Sequence, residues 1–475
     1  MPPENFGAIL AVSYLLVELV AVLLAIDAVM KGRTPQGTIA WVAGLIAFAP
    51  ITIPLYVVFG SRRFAGYVKA RRRGVSALNR LANRYAEQLK PYRVALGRRA
   101  SEPGEDAVYL PVVRGNTVKL LMDGEETFGA IFAAIQGATR SVAVQFYIVR
   151  DDGLGRRLKH AMIDAARRGV NVYFLYDGLG SASLGRTYLR DLRQAGVQAQ
   201  EFRPSRAPRL RVQLNFRNHR KVVIVDGQTA FVGGHNVGDE YLGKNPTFGP
   251  WRDTHMSIDG PAARSVQLSF VEDWYCCTRR LPDLCWPDPV STPDDARVGI
   301  LATGPADEVE GCLLAFVHLI HAARTRLWIA TPYFVPDPAI IAAIQAASLR
   351  GVDVALLIPA KGDNRLVDLA ARSFLDELLP LRIRVYEHVN GFMHQKVMLS
   401  DDTAVVGTAN LDNRSMRINF EISAVTDDAA FARAVEAMLA GDFAKARAIS
   451  PDRFAQRPFH VRLASRLANL ASPVL

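Results

Sequence analysis

The sequence predicts an α/β protein with a two-helix transmembrane hairpin at its N-terminus and two tandem α/β domains forming one pseudo-symmetric catalytic body. Three observations carry this. Two long apolar stretches open the chain, one order of strands and helices then occurs twice, and one pattern of reactive residues falls once in each copy.

Phe6 to Met30 is apolar apart from Glu18 and Asp27, and Thr38 to Phe59 is 22 residues without a charge. Both exceed the roughly 18 residues that mark a spanning candidate. The first has no positive cap and the second follows at once, unlike a cleaved leader. Spans are therefore expected at about 6–30 and 38–59, within a hairpin of residues 1–61, with Pro50 and Pro54 kinking the second. Glu18 lies mid-span. A carboxylate there contacts a lipid headgroup, pairs within a homo-oligomer, or is protonated or turned into a helix interface, and the last is the simpler reading.

The net charge of +11 is concentrated. Arg62 to Arg99 holds twelve Lys or Arg and one acid, Glu87, so the rest of the chain carries 45 charges of each sign. Only Lys31 and Arg33 lie between the two apolar stretches. The positive-inside rule then puts the long C-terminal body, and the N-terminus with it, in the cytoplasm. The basic block, within a juxtamembrane linker at 62–104, suits a belt against anionic headgroups, each cation contributing on the order of 1 kcal/mol. It equally suits a topology signal. Lys69 to Arg99 reads as a basic amphipathic linker helix without a deep apolar stripe. A neutral body argues against nucleic acid as a partner. Four cysteines (Cys276, Cys277, Cys285, Cys312) are too few for a disulfide scaffold and indicate a reducing compartment.

The polar break Ser101 to Asp106 precedes the duplication. Phe128–Ala138 has a helical pattern, Val142–Ile148 a strand pattern and Arg156–Arg168 a helical one. The next strand begins at Arg168-Gly-Val-Asn-Val. Gly311–Ala323, Leu327–Tyr333, Pro338–Leu349 and Arg350-Gly-Val-Asp-Val repeat that order. Pro282 to Asp295 is the expected connection, which gives domains at 105–290 and 291–475.

Each copy carries His-x-Lys-x4-Asp: His219, Lys221 and Asp226 in the first, His394, Lys396 and Asp401 in the second. Each is followed by a small-residue turn ending in Asn, at Asn236 and Asn410. His and Lys two apart on a strand share a face. Imidazole supplies a nucleophile or proton carrier, and lysine a fixed charge for an anion. Two such sets facing each other make a pocket for one phosphodiester. Alternation turns Asp226 and Asp401 off that face, which suits fixing the backbone more than touching phosphate.

These residues resemble the paired HKD motifs of the phospholipase D superfamily. The wider chain is similar to bacterial cardiolipin synthases, through Arg33-Thr-Pro-Gln-Gly-Thr-Ile-Ala-Trp41, Gln145-Phe-Tyr-Ile148, Trp251-Arg-Asp-Thr-His255, Thr331-Pro-Tyr-Phe-Val-Pro-Asp337, Asn410-Leu-Asp-Asn-Arg-Ser415 and Asn419-Phe-Glu421. The resemblance implies two phospholipase D-like domains and a membrane-bound phosphatidyl transfer, with phosphatidylglycerol and other anionic phospholipids as partners. It implies His219 as nucleophile and His394 as acid/base. It implies Asp253, 34 residues after His219, and Glu421, 27 after His394, as acceptors that orient imidazole. Lys221, Lys396, Asn236 and Asn410 would stabilise phosphoryl charge, with no metal or cofactor. His235 and His255 read as structural.

Two departures stand out. Gly234 and Thr408 occupy positions where the family often has Ser. The second motif also has one residue fewer before its Gly, which leaves Asp401 and Asp402 both open for the motif acid. Other readings kept open are a hydrolytic phospholipase D, a synthase using phosphatidylethanolamine as donor, and a nuclease of the superfamily.

Overall fold

The computed structural model describes residues 3–32, 35–60, 78–95, 110–203 and 216–472. The arginines from Arg62 to Arg73, Arg98 and Arg99, and the break at Ser101–Asp106, lie outside the described residues.

The first apolar stretch is one helix, Pro3–Lys31, whose segment Ala11–Lys31 is long and apolar enough to cross a membrane. The second differs from expectation. It is two helices, Pro35–Ala47 and Ala49–Phe59, of 13 and 11 residues, each shorter than a bilayer-spanning helix. The interruption falls at Phe48 because Pro50 supplies no N–H to continue the first helix and suits the first turn of a new one, where that N–H has no helical partner. The Thr52 hydroxyl bridges the break by donating to Gly44 O (2.9 Å). Both short helices pack on the first, through Ala21, Ala28, Leu45, Ala49 and Tyr56. Tyr56 Oη donates to Asp27 (3.0 Å). Glu18 is half-buried, one turn before Ala21.

The described part of the basic linker is a correction. Residues 78–89 are helical and bury Leu78, Tyr85 and Leu89 in the main core, with Leu81 and Ala82 against it. Tyr85 Oη lies 2.7 Å from Ser265 Oγ, and Tyr92 Oη donates to Pro289 O (2.7 Å). The linker thus has an apolar stripe and docks on the catalytic body. Spacings of three, four and seven put those residues on one face, while Arg80, Arg84 and Lys90 dominate the composition.

The body is built on a fifteen-stranded sheet. At its centre Leu110–Met122 runs antiparallel to Ala296–Thr303. Outward from the first lie Thr254–Asp259, Thr229–Gly233, Val222–Val225, Ser141–Phe146, Asn171–Asp177 and Gln198–Phe202. Outward from the second lie Glu421–Thr426, Thr403–Gly407, Val397–Ser400, Arg326–Ala330, Asp353–Pro359 and Arg384–His388, with Arg447–Ala448 at the edge. The order matches on the two sides. The Arg-Gly-Val corners match too. Gly169 and Gly351 both sit at φ +87°, ending helices Gly153–Arg167 and Pro338–Leu349 in the left-handed cap glycine favours. Arg168 and Arg350 each donate to carbonyls at the end of the preceding helix.

Helices Ala263–Thr278 and Ala429–Lys445 anchor the reactive segments through the middle residue of each His-x-Lys. Arg220 forms a buried ion pair with Asp273 (3.0 Å), which also accepts from Gln145 and Asn218. Gln395 donates to Asp442 (3.1 Å), the partner of Arg252. Asp273→Ala leaves Arg220 charged, buried and without its acid. The expected loss is about 3–5 kcal/mol of stability, read as a lowered urea midpoint against Asp273→Asn.

Candidate active site

The two His-x-Lys segments sit just before strands Val222–Val225 and Val397–Ser400, as extended chain rather than ladder. Each is clasped by the opposite half. His219 N donates to Phe420 O (2.9 Å), and His394 N to Arg252 O (2.8 Å). The side chains cross over as well. His219 Nδ1 lies 3.0 Å from Glu421 Oε2, with Thr408 O at 3.2 Å, and His394 Nδ1 lies 2.7 Å from Asp253 Oδ2. A carboxylate only accepts, so each Nδ1 carries the proton and each Nε2 keeps a lone pair. Each acid therefore serves the histidine of the other half, where sequence order suggests its own.

The two carboxylates are held differently. Glu421 also accepts from the hydroxyls of Thr408 and Ser415 and from Asn419 Nδ2. Asp253 also accepts from Thr254 N (2.8 Å). Gly234 and Thr408 acquire reasons here. A Cβ at Gly234 would meet Asp253 Oδ1 at 2.0 Å, so any side chain there would displace the acid that holds His394. Thr408 instead supplies a hydroxyl to Glu421.

Lys221 and Lys396 are buried, and each Nζ donates to the carbonyl of the histidine two residues before it, at 2.7 and 2.5 Å. Burial pulls Lys221 down to about 7 and Lys396 to about 8, against the attraction of Glu421 and Asp253. Burial also lowers His219, opposed by Glu421, and lowers His394 further, with Lys396, Lys221 and His219 adding repulsion. Burial raises the Glu421 carboxyl, but His219 and Lys221 outweigh it and the net shift is downward. Charged groups of each motif thus shift those of the other.

The remaining candidates take other places. Asp226 accepts from the backbone N–H of Thr139, Arg140 and Ser141, and Asp401 from those of Arg324, Thr325 and Arg326. Both sit at positive φ in the hairpin turn after the motif strand. They staple the turn to the start of the neighbouring strand, the backbone-fixing place that strand alternation suggests. Asp401 takes that place in the second motif, since the missing residue falls within the turn between Ser400 and Thr403. Asn236 accepts from Ile148 N and donates to Tyr241 Oη, while Asn410 donates to Asp412. His235 and His255 are fully buried, 3.2 Å apart through Nδ1, and burial pushes both to about 3. They are uncharged near neutral pH.

Aromatic residues complete the walls, and sequence reasoning missed their part in the site. Tyr147 stands edge-on to His219 at 5.1 Å, with Lys221 Nζ 5.6 Å from its ring. Tyr333 stands edge-on to His394 at 6.4 Å and donates to Asp363, and Trp251 packs on His394 at 5.3 Å. The available signal was positional, since Tyr147 and Tyr333 follow corresponding strands in the two halves.

Paired His-x-Lys segments at corresponding places in a duplicated α/β sheet define a phospholipase D-like protein. A family model for the phospholipase D-like domain of cardiolipin synthase matches residues 131–247 and 316–443. The chain is 45% identical over its whole length to cardiolipin synthase A of Pseudomonas putida (strain W619), covering 99% of it. It is 46% identical to that of Pseudomonas aeruginosa (strain LESB58), over 95% of this chain and 93% of that one. The crystal structure of phosphatidylserine synthase from Haemophilus influenzae Rd KW20 shares the fold, with a TM-score of 0.57 over 83% of this chain and all of that one, at 13% identity. The chain belongs to the cardiolipin synthase family, enzymes of the phospholipase D superfamily.

Asp226→Ala removes an acceptor for three backbone N–H groups. The expected cost is about 2–4 kcal/mol of stability, with turnover per folded molecule nearly unchanged. Thermal unfolding beside active-site titration checks this. A loss of turnover in fully folded protein would give Asp226 a chemical role instead.

Proposed function

We propose that the enzyme joins two phosphatidylglycerol molecules into cardiolipin and glycerol through a phosphohistidine. The observation that carries this is the pair of imidazoles, each tied through Nδ1 to a carboxylate of the opposite half, with no hydrogen bond at Nε2 among the described residues. His219 Nε2 attacks phosphorus, the bond from phosphorus to the glycerol oxygen breaks, and that oxygen takes a proton from His394 Nε2. The hydroxyl of a second phosphatidylglycerol then gives its proton to His394 and attacks phosphorus, breaking the N–P bond. One phosphate ester replaces another, so no nucleotide is needed. Lys221 and Lys396 neutralise the nonbridging oxygens, and the Asn236 and Asn410 amides are the candidate donors beside them.

His394 must be protonated in the first step, yet burial and the neighbouring Lys396 and Lys221 disfavour its cation. The anionic substrate offsets this by neutralising the two lysines that repel it. Glycerol must also leave before the second alcohol enters, and limiting water at that stage separates transfer from hydrolysis. Two phospholipase D-like domains, meeting near Pro282–Asp295, form the catalytic body in this reading. The apolar N-terminal helices anchor the enzyme as a hairpin in the bacterial cytoplasmic membrane, with the body on the cytoplasmic side. The basic residues after Phe59 support that orientation.

His219→Ala and His394→Ala are each expected to lower cardiolipin formation at least 1,000-fold, assayed on phosphatidylglycerol vesicles with cardiolipin and glycerol in equal amounts from the parent. Phosphatidic acid as the main product would make the enzyme a hydrolase.

The lysines set a pH dependence. In the empty site each is charged below its pKa, about 7 for Lys221 and about 8 for Lys396, and neutral above it. An anionic phosphodiester binds the charged forms, so affinity is full below pH 7 and falls as pH rises through 7 to 8. KM for short-chain phosphatidylglycerol should then rise by up to about tenfold per pH unit for each proton linked. A KM flat from about pH 6 to 9 would contradict this.

A further inference from the structure

Helix Phe459–Asn469 packs Ser465 and Ala468 inward, against helix Arg365–Leu378. Its outer face carries Phe459, Leu463 and Leu467, and Leu470 follows on the same side. These four are 76%, 44%, 58% and 78% exposed. At about 100° per residue they fall within a stripe roughly 80° wide. Arg462 and Arg466 border one edge of it. From Arg453 to Leu475 there are four arginines and no acid.

The C-terminal end of this segment packs beside residues that follow two candidate-site positions in the chain. Asn413 Nδ2 donates to Ser472 O (3.0 Å) at the end of the helical segment and lies 3.3 Å from Val335 O. Asn413 is three residues beyond Asn410, and Val335 two beyond Tyr333. A cavity of about 420 Å³ lies alongside, walled by Pro332 and Phe334 on one side and by Arg453, Phe454 and Arg457 on the other. Arg457 Nη1 is buried there without a hydrogen-bond partner among the described residues.

We infer that helix Phe459–Asn469 is an interfacial docking element that seats the rim of the active site on an anionic phospholipid bilayer. An apolar stripe bordered by arginines, with no acid, is the pattern of a helix lying in the headgroup plane. A second copy is a poorer occupant, because a two-fold contact through this face would set arginine against arginine. The inference goes beyond the proposed reaction and stands whether or not that reaction is correct.

The test uses the full chain in nanodiscs of phosphatidylcholine with and without phosphatidylserine. An environment-sensitive dye is placed at Leu467→Cys, with the labelled parent as control for its own cysteines. The expected result is a blue-shifted emission, quenched by lipids brominated in their acyl chains and strongest in the anionic discs. Leu463→Glu combined with Leu470→Glu should abolish the shift and leave thermal stability unchanged, since both side chains face out. Emission typical of water in both kinds of disc would overturn the inference. So would a shift that grows with protein concentration in lipid-free detergent, which would mark a second copy.

Discussion

The site depends on an exchange of hydrogen bonds between the two halves. Glu421 reaches across to His219 and Asp253 to His394, while Phe420 and Arg252 hold the two backbones in the same crosswise sense. Neither half alone holds an imidazole together with its carboxylate partner. An imidazole needs its Nδ1 fixed for its Nε2 to be aimed, and the fixing group comes from the other copy. The chemistry and the docking of the halves are therefore one constraint. The central strand pair Leu110–Met122 and Ala296–Thr303 supplies the rigid frame that keeps it satisfied.

The electrostatic cost of this arrangement is visible in the lysines. Two ammonium groups lie buried beside two imidazoles, and burial lowers the affinity of all four for protons. Two carboxylates balance them only in part. In the proposed reaction an anionic phosphodiester would relieve that repulsion at the atoms where charge develops.

Much of this was legible in the chain. The repeated His-x-Lys-x4-Asp, the Arg-Gly-Val corners and the β-α-β-α order are local patterns, and local patterns survive in sequence. The crossing of Asp253 and Glu421 was not legible, because order along the chain does not say which half an acid faces. Tyr147 and Trp251 stood in the sequence only as members of resemblance motifs, and the fold set their rings against the imidazoles. The stripe Leu78, Tyr85, Leu89 was masked by the arginines around it. The break at Phe48 needed the backbone beside Pro50, where a count of apolar residues sees one unbroken span.

The most direct test is an experimental structure of the enzyme with tungstate or vanadate bound, an oxyanion that stands in for the phosphoryl group. The account requires one oxyanion in contact with Nε2 of both His219 and His394, with both Nδ1 atoms still on the carboxylates of the opposite halves. An oxyanion held by one histidine alone, with the other ring opening onto a different cavity, would contradict it.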